Sequence, residues 1–289
     1  MQMRWSSSVS VCCLFVFSLF FLGAATLPGE AAAKGVVRLY QIHDSESSPL
    51  LLLLDQAFSS STDVYIDWYD ATSLEKSVLF QRVGEGEADA LLTNDASLVD
   101  ELEKKEWVRS VQTVMSNQLF LAGPEADPAG ASGLPLKEAF RRIADTNSLF
   151  ISPLRGGWFT VVEVGLWRAA GVTDPEILKG YISSGRNRLA AMIQAGEEGG
   201  YILTDPSTFA VYEASSRGQP SSLKSISSRI DGPDNRYFFV VVERGILGSQ
   251  RVKNAEVLSD WLVSDQAKQI ISGYALSGHH PFVPWSEGR

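Results

Sequence analysis

The sequence predicts an α/β fold built around a parallel sheet, and two observations support that prediction. Short apolar runs at residues 36–42, 64–68 and 88–93 have the length of strands, and stretches with helical periodicity at 50–58 and 74–83 separate them. A strand–helix–strand–helix–strand order requires right-handed crossovers and makes the strands parallel. Ligands of such sheets bind at the carboxyl ends of the strands, so the loops there are the first candidates for a site.

The alternation of strands and helices continues through the rest of the chain. Further strands are predicted at 116–124, 149–151, 201–204 and 237–243. Further helices are predicted at 98–105, 135–144, 158–170, 186–195, 205–213, 254–261 and 265–273. In the helix that begins near Trp158, the spacing of the apolar residues leaves Glu163 and Arg168 facing solvent. The polar stretch 218–235 is predicted to be a long surface loop.

Residues 1–33 are predicted to be a secretory signal peptide. Arg4 precedes an apolar core at 9–22, and a small-residue tract follows that ends in Ala31-Ala32-Ala33. Cleavage is expected after Ala33, with Ala25 as a second candidate. The apolar core is shorter than the roughly 20 residues that a membrane span needs. We therefore expect an exported protein, periplasmic or extracellular.

The composition excludes several classes of function. Cys12 and Cys13 lie inside the predicted signal, so the mature chain would have no disulfide, no thiol catalysis and no cysteine metal site. The net charge of −9 makes nucleic acid or anionic lipid a poor partner. An anion site in so acidic a chain must draw its positive potential locally, from backbone N–H groups and one or two arginines. The length suits two lobes better than one.

No motif supports catalysis, a metal or a cofactor. His43, Asp44 and Ser45 are consecutive in one loop and cannot align as base, orienting group and nucleophile, and no G-x-S-x-G elbow is present. His279 and His280 are adjacent, and adjacent histidines rarely converge on one metal. We predict a protein that is not an enzyme and that holds no metal or cofactor.

The strongest candidate site lies between residues 148 and 171. A short apolar run is stopped by Pro153, and Arg155, Gly156 and Gly157 then lead into a helix. The first N–H groups of a helix have no intrahelical partner and carry partial positive charge, and an arginine adds a fork of donors. Glycines let a ligand approach the backbone closely. This turn is predicted to form half of an anion-binding cleft.

A second candidate cradle follows the first predicted strand. Ser45 and Ser48 place hydroxyl groups in the loop before the helix at 50–58. Two interpretations stay open there: an anion cradle, or simple helix capping with Pro49 at the first helical position. Farther along, Asp205 precedes Pro206 and is predicted to cap the helix that follows.

Several segments resemble the tungstate-binding proteins of bacterial ABC importers. They include GEADALL (86–92), NQLFLAGPEADPAG (117–130), GYILTD (200–205), DWL (260–262) and PFVP (281–284). The resemblance implies the type II periplasmic binding protein fold, in which two three-layer α/β lobes are joined by a two-segment hinge. The first lobe would comprise residues 34–121 plus 240–289, and the second residues 122–239.

The resemblance also implies a function. It is that of a non-catalytic, monomeric solute-binding protein that carries a small anion, such as tungstate or molybdate, to an ABC permease in the membrane. The expected ligand-binding residues are Asp44, Ser45, Ser48, Arg155, Gly156, Gly157, Thr204 and Asp205.

Both halves of the family's oxyanion motif are altered in this chain. A Thr-Thr-Thr-Ser run is replaced by Ile42-His43-Asp44-Ser45, and Ser-Arg-Gly-Asp-Asp-Ser-Gly-Thr is replaced by SPLRGGWF (152–159). A desolvated carboxylate would repel a doubly charged anion, so either Asp44 turns away or the ligand is not tungstate. The alternative is an orphan homologue that acts as a sensor or interaction module and binds an amine- or carboxylate-bearing metabolite.

Overall fold

The structure, a computed structural model, describes residues 35–42, 48–154, 157–215, 222–227 and 234–286. The predicted signal peptide lies outside these residues. Residues 34–289 belong to one structural unit. Within the described ranges, no helix has both the length and the apolar character to cross a bilayer.

The chain begins with a β-α-β-α-β unit. It runs through β1 (Gly35–Ile42), α1 (Ser48–Ser61), β2 (Val64–Asp70), α2 (Lys76–Gly84) and β3 (Ala90–Thr93). β1 pairs in parallel with β2 on one side and with β3 on the other. This pairing confirms the parallel arrangement predicted from the alternation of strands and helices.

A second β-α-β-α-β unit follows later in the chain. It comes after α3 (Ala96–Lys104), β4 (Val108–Gln118), β5 (Phe120–Pro124) and α4 (Leu136–Thr146). The unit itself runs through β6 (Phe150–Ser152), α5 (Gly157–Ala169), β7 (Tyr181–Ser183), α6 (Arg188–Glu198) and β8 (Ile202–Thr204). β6 pairs in parallel with β7, and a parallel bridge between Phe150 and Tyr201 places β6 beside β8. The connectivity therefore repeats that of the first unit, although the sequence shows no repeat.

The last elements complete both sheets. They are α7 (Pro206–Ser215), β9 (Leu223–Ser225), β10 (Asp234–Val242), α8 (Ser249–Leu262), α9 (Asp265–Gly273) and β11 (Val283–Pro284). β5 lies between β8 and β9 and is antiparallel to both. β10 returns to the first sheet and pairs antiparallel with β3 and β4, so the strand order there is β11-β4-β10-β3-β1-β2.

Each sheet is covered by helices on both faces, which is the expected three-layer α/β architecture. In the first sheet, buried residues of α1, α8 and α9 pack on one face, and those of α2 and α3 on the other. In the second, α4 and α5 cover one face, and α6 and α7 the other.

The predicted strand at 116–124 is divided in the structure. β4 already begins at Val108, and the chain passes from the first sheet to the second at Leu119, where the pairing partner changes from β10 to β8 and β9. The early part of β4 was missed because its polar, half-buried residues hide the apolar signal of a strand. The predicted loop at 218–235 likewise contains β9 and the start of β10.

The lobe boundaries stay a prediction. Gln118 pairs with Asp234, so the first sheet includes β10 from its first residue. The predicted second lobe, by contrast, extends to residue 239. The division into residues 34–121 plus 240–289 and residues 122–239 stays a proposal, and it differs from the sheet boundary at residues 234–239.

Candidate functional site

Two sheet edges have the topology that favours ligand binding. In the first unit, α1 and α2 lie on opposite faces of the sheet, so the chain changes direction between β1 and β3. In the second unit, α5 and α6 lie on opposite faces, and the equivalent position is between β6 and β8. Open α/β sheets bind ligands at such switch points, outside the carboxyl ends of the strands.

The second switch point is bordered by two strand ends and a helix start. β6 ends at Ser152 and β8 at Thr204, and both of these residues are buried. α5 begins at Gly157, so its first N–H groups are available at this edge. The predicted ligand residues Arg155 and Gly156 lie between Ser152 and Gly157 in the sequence and fall outside the described residues.

Asp205 caps α7, as predicted, and is fully enclosed. It accepts hydrogen bonds from the backbone N–H groups of Ser207 (2.9 Å) and Thr208 (3.1 Å) and from the hydroxyls of both residues. The Thr208 Oγ1 contact is 2.6 Å. Arg188 Nη1 donates a further bond at 3.2 Å. These five hydrogen bonds fix the carboxylate of Asp205, and the carboxylate in turn holds the guanidinium of Arg188 in position.

Arg188 is a buried cation at the second switch point. It is the first residue of α6 and only 7% exposed. Its guanidinium carbon lies 3.5 Å from the centroid of the Phe159 ring, and Phe159 belongs to the first turn of α5. The ion pair with Asp205 and the ring of Phe159 together fix the guanidinium beside the start of α5.

Sequence reasoning missed Arg188, although a signal for it exists. Arg188 shares an i, i+3, i+4, i+7 stripe with Ala191, Met192 and Ala195, all of which are buried. A charged residue inside an apolar stripe indicates a buried charge with a partner. What the pattern does not reveal is that this partner is Asp205, which follows the next strand.

Glu163 was predicted to face solvent, and this prediction is wrong. Glu163 is 3% exposed and follows Phe159 by one helical turn, so it points into the core side of α5. Its carboxylate accepts hydrogen bonds from Ser152 Oγ and from Tyr181 Oη, each at 3.1 Å. Glu163 therefore ties α5 to the last residue of β6 and to the first residue of β7, and it orients the hydroxyl of Ser152.

The first switch point is described only in part. Ile42, the last residue of β1, pairs with Thr93, the last residue of β3, and Asn94 follows directly. The predicted ligand residues Asp44 and Ser45 lie outside the described residues, and Ser48 is described as the first residue of α1.

The other candidates have structural surroundings. Thr204 is buried at the end of β8, where it pairs with Phe120. His279 Nε2 lies 2.5 Å from Glu213 Oε2, and His280 Nδ1 lies 3.1 Å from the backbone oxygen of Tyr274. Across the described ranges, no three histidine, cysteine, aspartate or glutamate side chains group in a way that could hold a metal ion. His43 is outside those ranges.

Comparison with known proteins identifies sequence relatives. No family model matches the chain. A putative ABC transporter anion-binding protein of Haloferax volcanii is 27% identical over 210 residues, which is 69% of this chain and 58% of that relative. The chain therefore spans little more than half the length of this relative. The tungstate-binding protein TupA of Campylobacter jejuni is 27% identical over 196 residues, which is 68% of this chain and 72% of that protein.

Comparison with solved structures shows the fold of the chain. A tungstate-binding protein from Desulfovibrio alaskensis has a TM-score of 0.76 and 24% identity, covering 88% of this chain and all of that one. At that identity the likeness establishes the fold alone. The chain is thus similar in sequence to tungstate-binding proteins, and it has the type II periplasmic binding protein fold.

Proposed function

We propose that this chain is a non-catalytic, extracytoplasmic solute-binding protein that binds a small oxyanion between its two β-α-β-α-β units. We further propose that it acts as a monomer and delivers the anion to an ABC permease. The names of the relatives support this proposal, since one is an anion-binding and the other a tungstate-binding protein. The predicted signal at residues 1–33 is consistent with export.

The observation that carries the proposal is the placement of Arg188. Its guanidinium is held by Asp205 and Phe159 beside the first turn of α5, at a switch point. A fixed guanidinium and the first N–H groups of a helix are complementary to an oxyanion, and they act strongly where water is excluded. These donors are local, which suits a chain whose net charge is −9.

The residues expected from the sequence have distinct roles in this proposal. Arg155, Gly156 and Gly157 extend the donor set of the second unit. Ser45 and Ser48 contribute hydroxyls from the first unit, where Asp44 faces the same ligand or turns away from it. Thr204 and Asp205 shape the site, and Asp205 acts by positioning Arg188.

The proposal is tested by anion-dependent thermal stability. A ligand at about 100 times its Kd stabilises the folded state by about 2.7 kcal/mol. We expect at least one of tungstate, molybdate, sulfate and phosphate to raise the Tm of the wild type, and Arg188→Gln to remove that rise. The matched control is Arg186→Gln, which changes an exposed arginine two residues earlier and should leave the rise intact.

Arg188→Gln also leaves the carboxylate of Asp205 without its cation, so the Tm of each ligand-free variant is measured first. Arg188→Lys keeps the charge but loses the planar fork and should retain only part of the affinity. If none of the four anions stabilises the wild type, or if Arg188→Gln binds them unchanged, the proposed function is wrong.

A further inference from the structure

A short finger of the chain, residues 274–282, lies between α9 and β11. Its tip is a tight turn in which the backbone N–H groups of Leu276 and His279 each donate to the backbone oxygen of the other residue, at 2.9 Å. The two residues between them, Ser277 and Gly278, have positive φ angles of 50° and 78°. Positive φ at both central positions is the geometry of a type I′ turn. The shape of the tip is therefore fixed by its own backbone.

The base of the finger is part of the core of the first sheet. Tyr274 and Phe282, at the two ends of the finger, are 8% and 1% exposed, and their ring centroids are 6.4 Å apart. The Phe282 ring also meets the ring of Tyr237 of β10 edge-on, at 5.6 Å. Leu276 packs against the same core. The finger is therefore fixed to the first sheet.

The tip of the finger contacts α7, which covers the second sheet. His279 Nε2 lies 2.5 Å from Glu213 Oε2, and the His279 ring meets the Phe209 ring edge-on, with centroids 6.3 Å apart. The Phe209 ring also packs edge-on against the ring of Phe120, the first residue of β5, at 5.3 Å. Phe120 directly follows Leu119, where the chain passes from the first sheet to the second. The finger thus meets α7 beside this crossing.

In the first sheet, the finger and the switch point lie on opposite sides of the crossing strands. The strand order is β11-β4-β10-β3-β1-β2. The chain leaves this sheet at the end of β4 and returns to it at the start of β10, whereas the switch point lies between β3 and β1. Beyond β4, the antiparallel pairing of Val283 with Ser116 places the finger at the edge of the sheet where β4 ends. β4 and β10 therefore separate the finger from the switch point.

The second sheet has a corresponding order. Its pairings give the order β7-β6-β8-β5-β9, with the switch point between β6 and β8. The chain enters this sheet through β5 and leaves it after β9, so the crossing strands again lie to one side of the switch point. Hinge motions occur where a few residues connect two packed bodies. A rotation at the crossings that narrows the gap between the switch points widens the gap on the other side, where the finger meets α7.

We propose that the finger opposes closure of the anion site, because its contact with α7 stabilises the arrangement in which the two switch points are apart. This inference rests on the proposed function, in which the anion is bound between the two β-α-β-α-β units. Closing on the anion then breaks the contact between His279 and α7. The apparent affinity equals the intrinsic affinity multiplied by the fraction of molecules in the closed arrangement. The finger therefore lowers the affinity without touching the anion.

A purely structural role for the finger predicts the opposite change in affinity. Phe209 and Glu213 follow Asp205 by four and eight residues on α7, and Asp205 holds Arg188 in the proposed site. If the finger only supported α7, loss of the contact would loosen Asp205 and Arg188 and would weaken anion binding. The sign of the change in affinity therefore separates the two roles.

The experiment compares the anion affinities of the wild type and His279→Ala by calorimetry, with tungstate, molybdate, sulfate and phosphate in separate runs. We expect every anion that binds the wild type to bind His279→Ala more tightly, by about two- to fivefold, which is the range for a partly exposed pair. The factor should be the same for each anion, because the finger acts on closure and not on contacts with the ligand. Glu213→Gln should shift the affinities in the same direction.

The matched control is His280→Ala, which changes the neighbouring histidine. His280 Nδ1 lies 3.1 Å from the backbone oxygen of Tyr274, within the finger itself. This variant keeps the contact with α7 and should bind anions as the wild type does. Small-angle X-ray scattering tests closure itself: the radius of gyration of the wild type should be smaller with the anion bound, and an unchanged radius overturns the inference.

The outcomes separate this inference from the function on which it rests. Unchanged or weaker binding by His279→Ala overturns the inference, as does a gain limited to one of several anions that bind. If the wild type still binds anions in a manner that depends on Arg188, the proposed function is retained and only the role of the finger is wrong. If no anion binds the wild type, the proposed function is wrong and the inference falls with it.

Discussion

At the residue scale, Asp127 shows how hydrogen bonds offset the cost of burying a carboxylate. Tyr201 Oη donates to it at 2.5 Å, and the backbone N–H groups of Ala131 and Ser132 donate at 3.0 and 2.9 Å. Burial alone would raise the pKa of Asp127, but these donors outweigh it and hold the pKa below its ordinary value. Burial and the same carboxylate raise the pKa of Tyr201.

The lowered pKa makes the contribution of Asp127 depend on pH. It is fully present above the unfolded value, about 3.9, and is lost as the pH falls through the lower folded pKa. We expect Asp127→Asn to destabilise the protein by about 1–3 kcal/mol at pH 7, and this difference to shrink below about pH 4. Asparagine tolerates the positive φ of 42° at this position, so the backbone is not strained by the change.

Urea unfolding at pH 7 and at several values below pH 4 measures this effect. Asp145→Asn, an exposed aspartate on α4, is the matched control and should change stability by less than about 0.5 kcal/mol at any pH. An Asp127→Asn effect of the same size at every pH would contradict the hydrogen-bond explanation.

At the element scale, α3 is held by its cap and by one apolar face. Asp95 precedes the helix and accepts hydrogen bonds from the backbone N–H groups of Ser97 (2.9 Å) and Leu98 (3.3 Å). The sequence predicts an exposed charged helix at 98–105, whereas in the structure one face is not exposed, because Leu98, Val99 and Leu102 are buried. α3 is therefore anchored to the first sheet, and it begins two residues after Asn94.

Removing this cap should destabilise the protein by about 1 kcal/mol in Asp95→Ala, because two N–H groups at the start of α3 lose their acceptor. Chemical denaturation measures the loss. Asp100→Ala, on the exposed side of the same helix, removes a carboxylate without touching the cap and should stay within about 0.5 kcal/mol of the wild type. Equal effects of the two substitutions would argue against capping.

At the scale of the whole molecule, the C-terminal segment links elements of the two sheets. β11 pairs with β4 in the first sheet, and shortly before it His279 Nε2 lies 2.5 Å from Glu213 Oε2 of α7, which covers the second sheet. The His279 ring also meets the Phe209 ring edge-on, with centroids 6.3 Å apart. The segment thus adds a non-covalent contact between the two sheets, in addition to the places where the chain itself passes from one sheet to the other.

A double-mutant cycle isolates this connection. With His279→Ala, Glu213→Gln and the double variant, we expect a coupling free energy of about 0.2–1 kcal/mol, since both side chains are close to 30% exposed and are screened by water. Because Glu213 makes further contacts, we expect each single substitution to lower the free energy of unfolding by more than the coupling free energy. A coupling energy indistinguishable from zero would show that the two side chains do not stabilise each other.

How much of the site could be predicted from the sequence differs from residue to residue. The cap at Asp205 was recognisable because capping is local: an aspartate before a proline at the start of a helix has one main use. The role of Arg188 was not, because its two partners, Phe159 and Asp205, are 29 and 17 residues away. Glu163 was predicted wrongly because a carboxylate is expected to face solvent. Helical periodicity does not reveal that two hydroxyl groups from other elements are available to hydrogen-bond it in the core.

The sequence by itself determined the α/β class and the order of most strands and helices, since periodicity, caps and local motifs are written over short stretches of chain. Only the tertiary structure decided which strands are neighbours. It therefore decided that Asn94 meets Asn235, that Arg188 meets Asp205, and that the chain repeats one connectivity at two switch points. The physical reason is that burying a polar group without a partner costs free energy, and partners are brought together by the strand order of the sheet rather than by their distance along the chain.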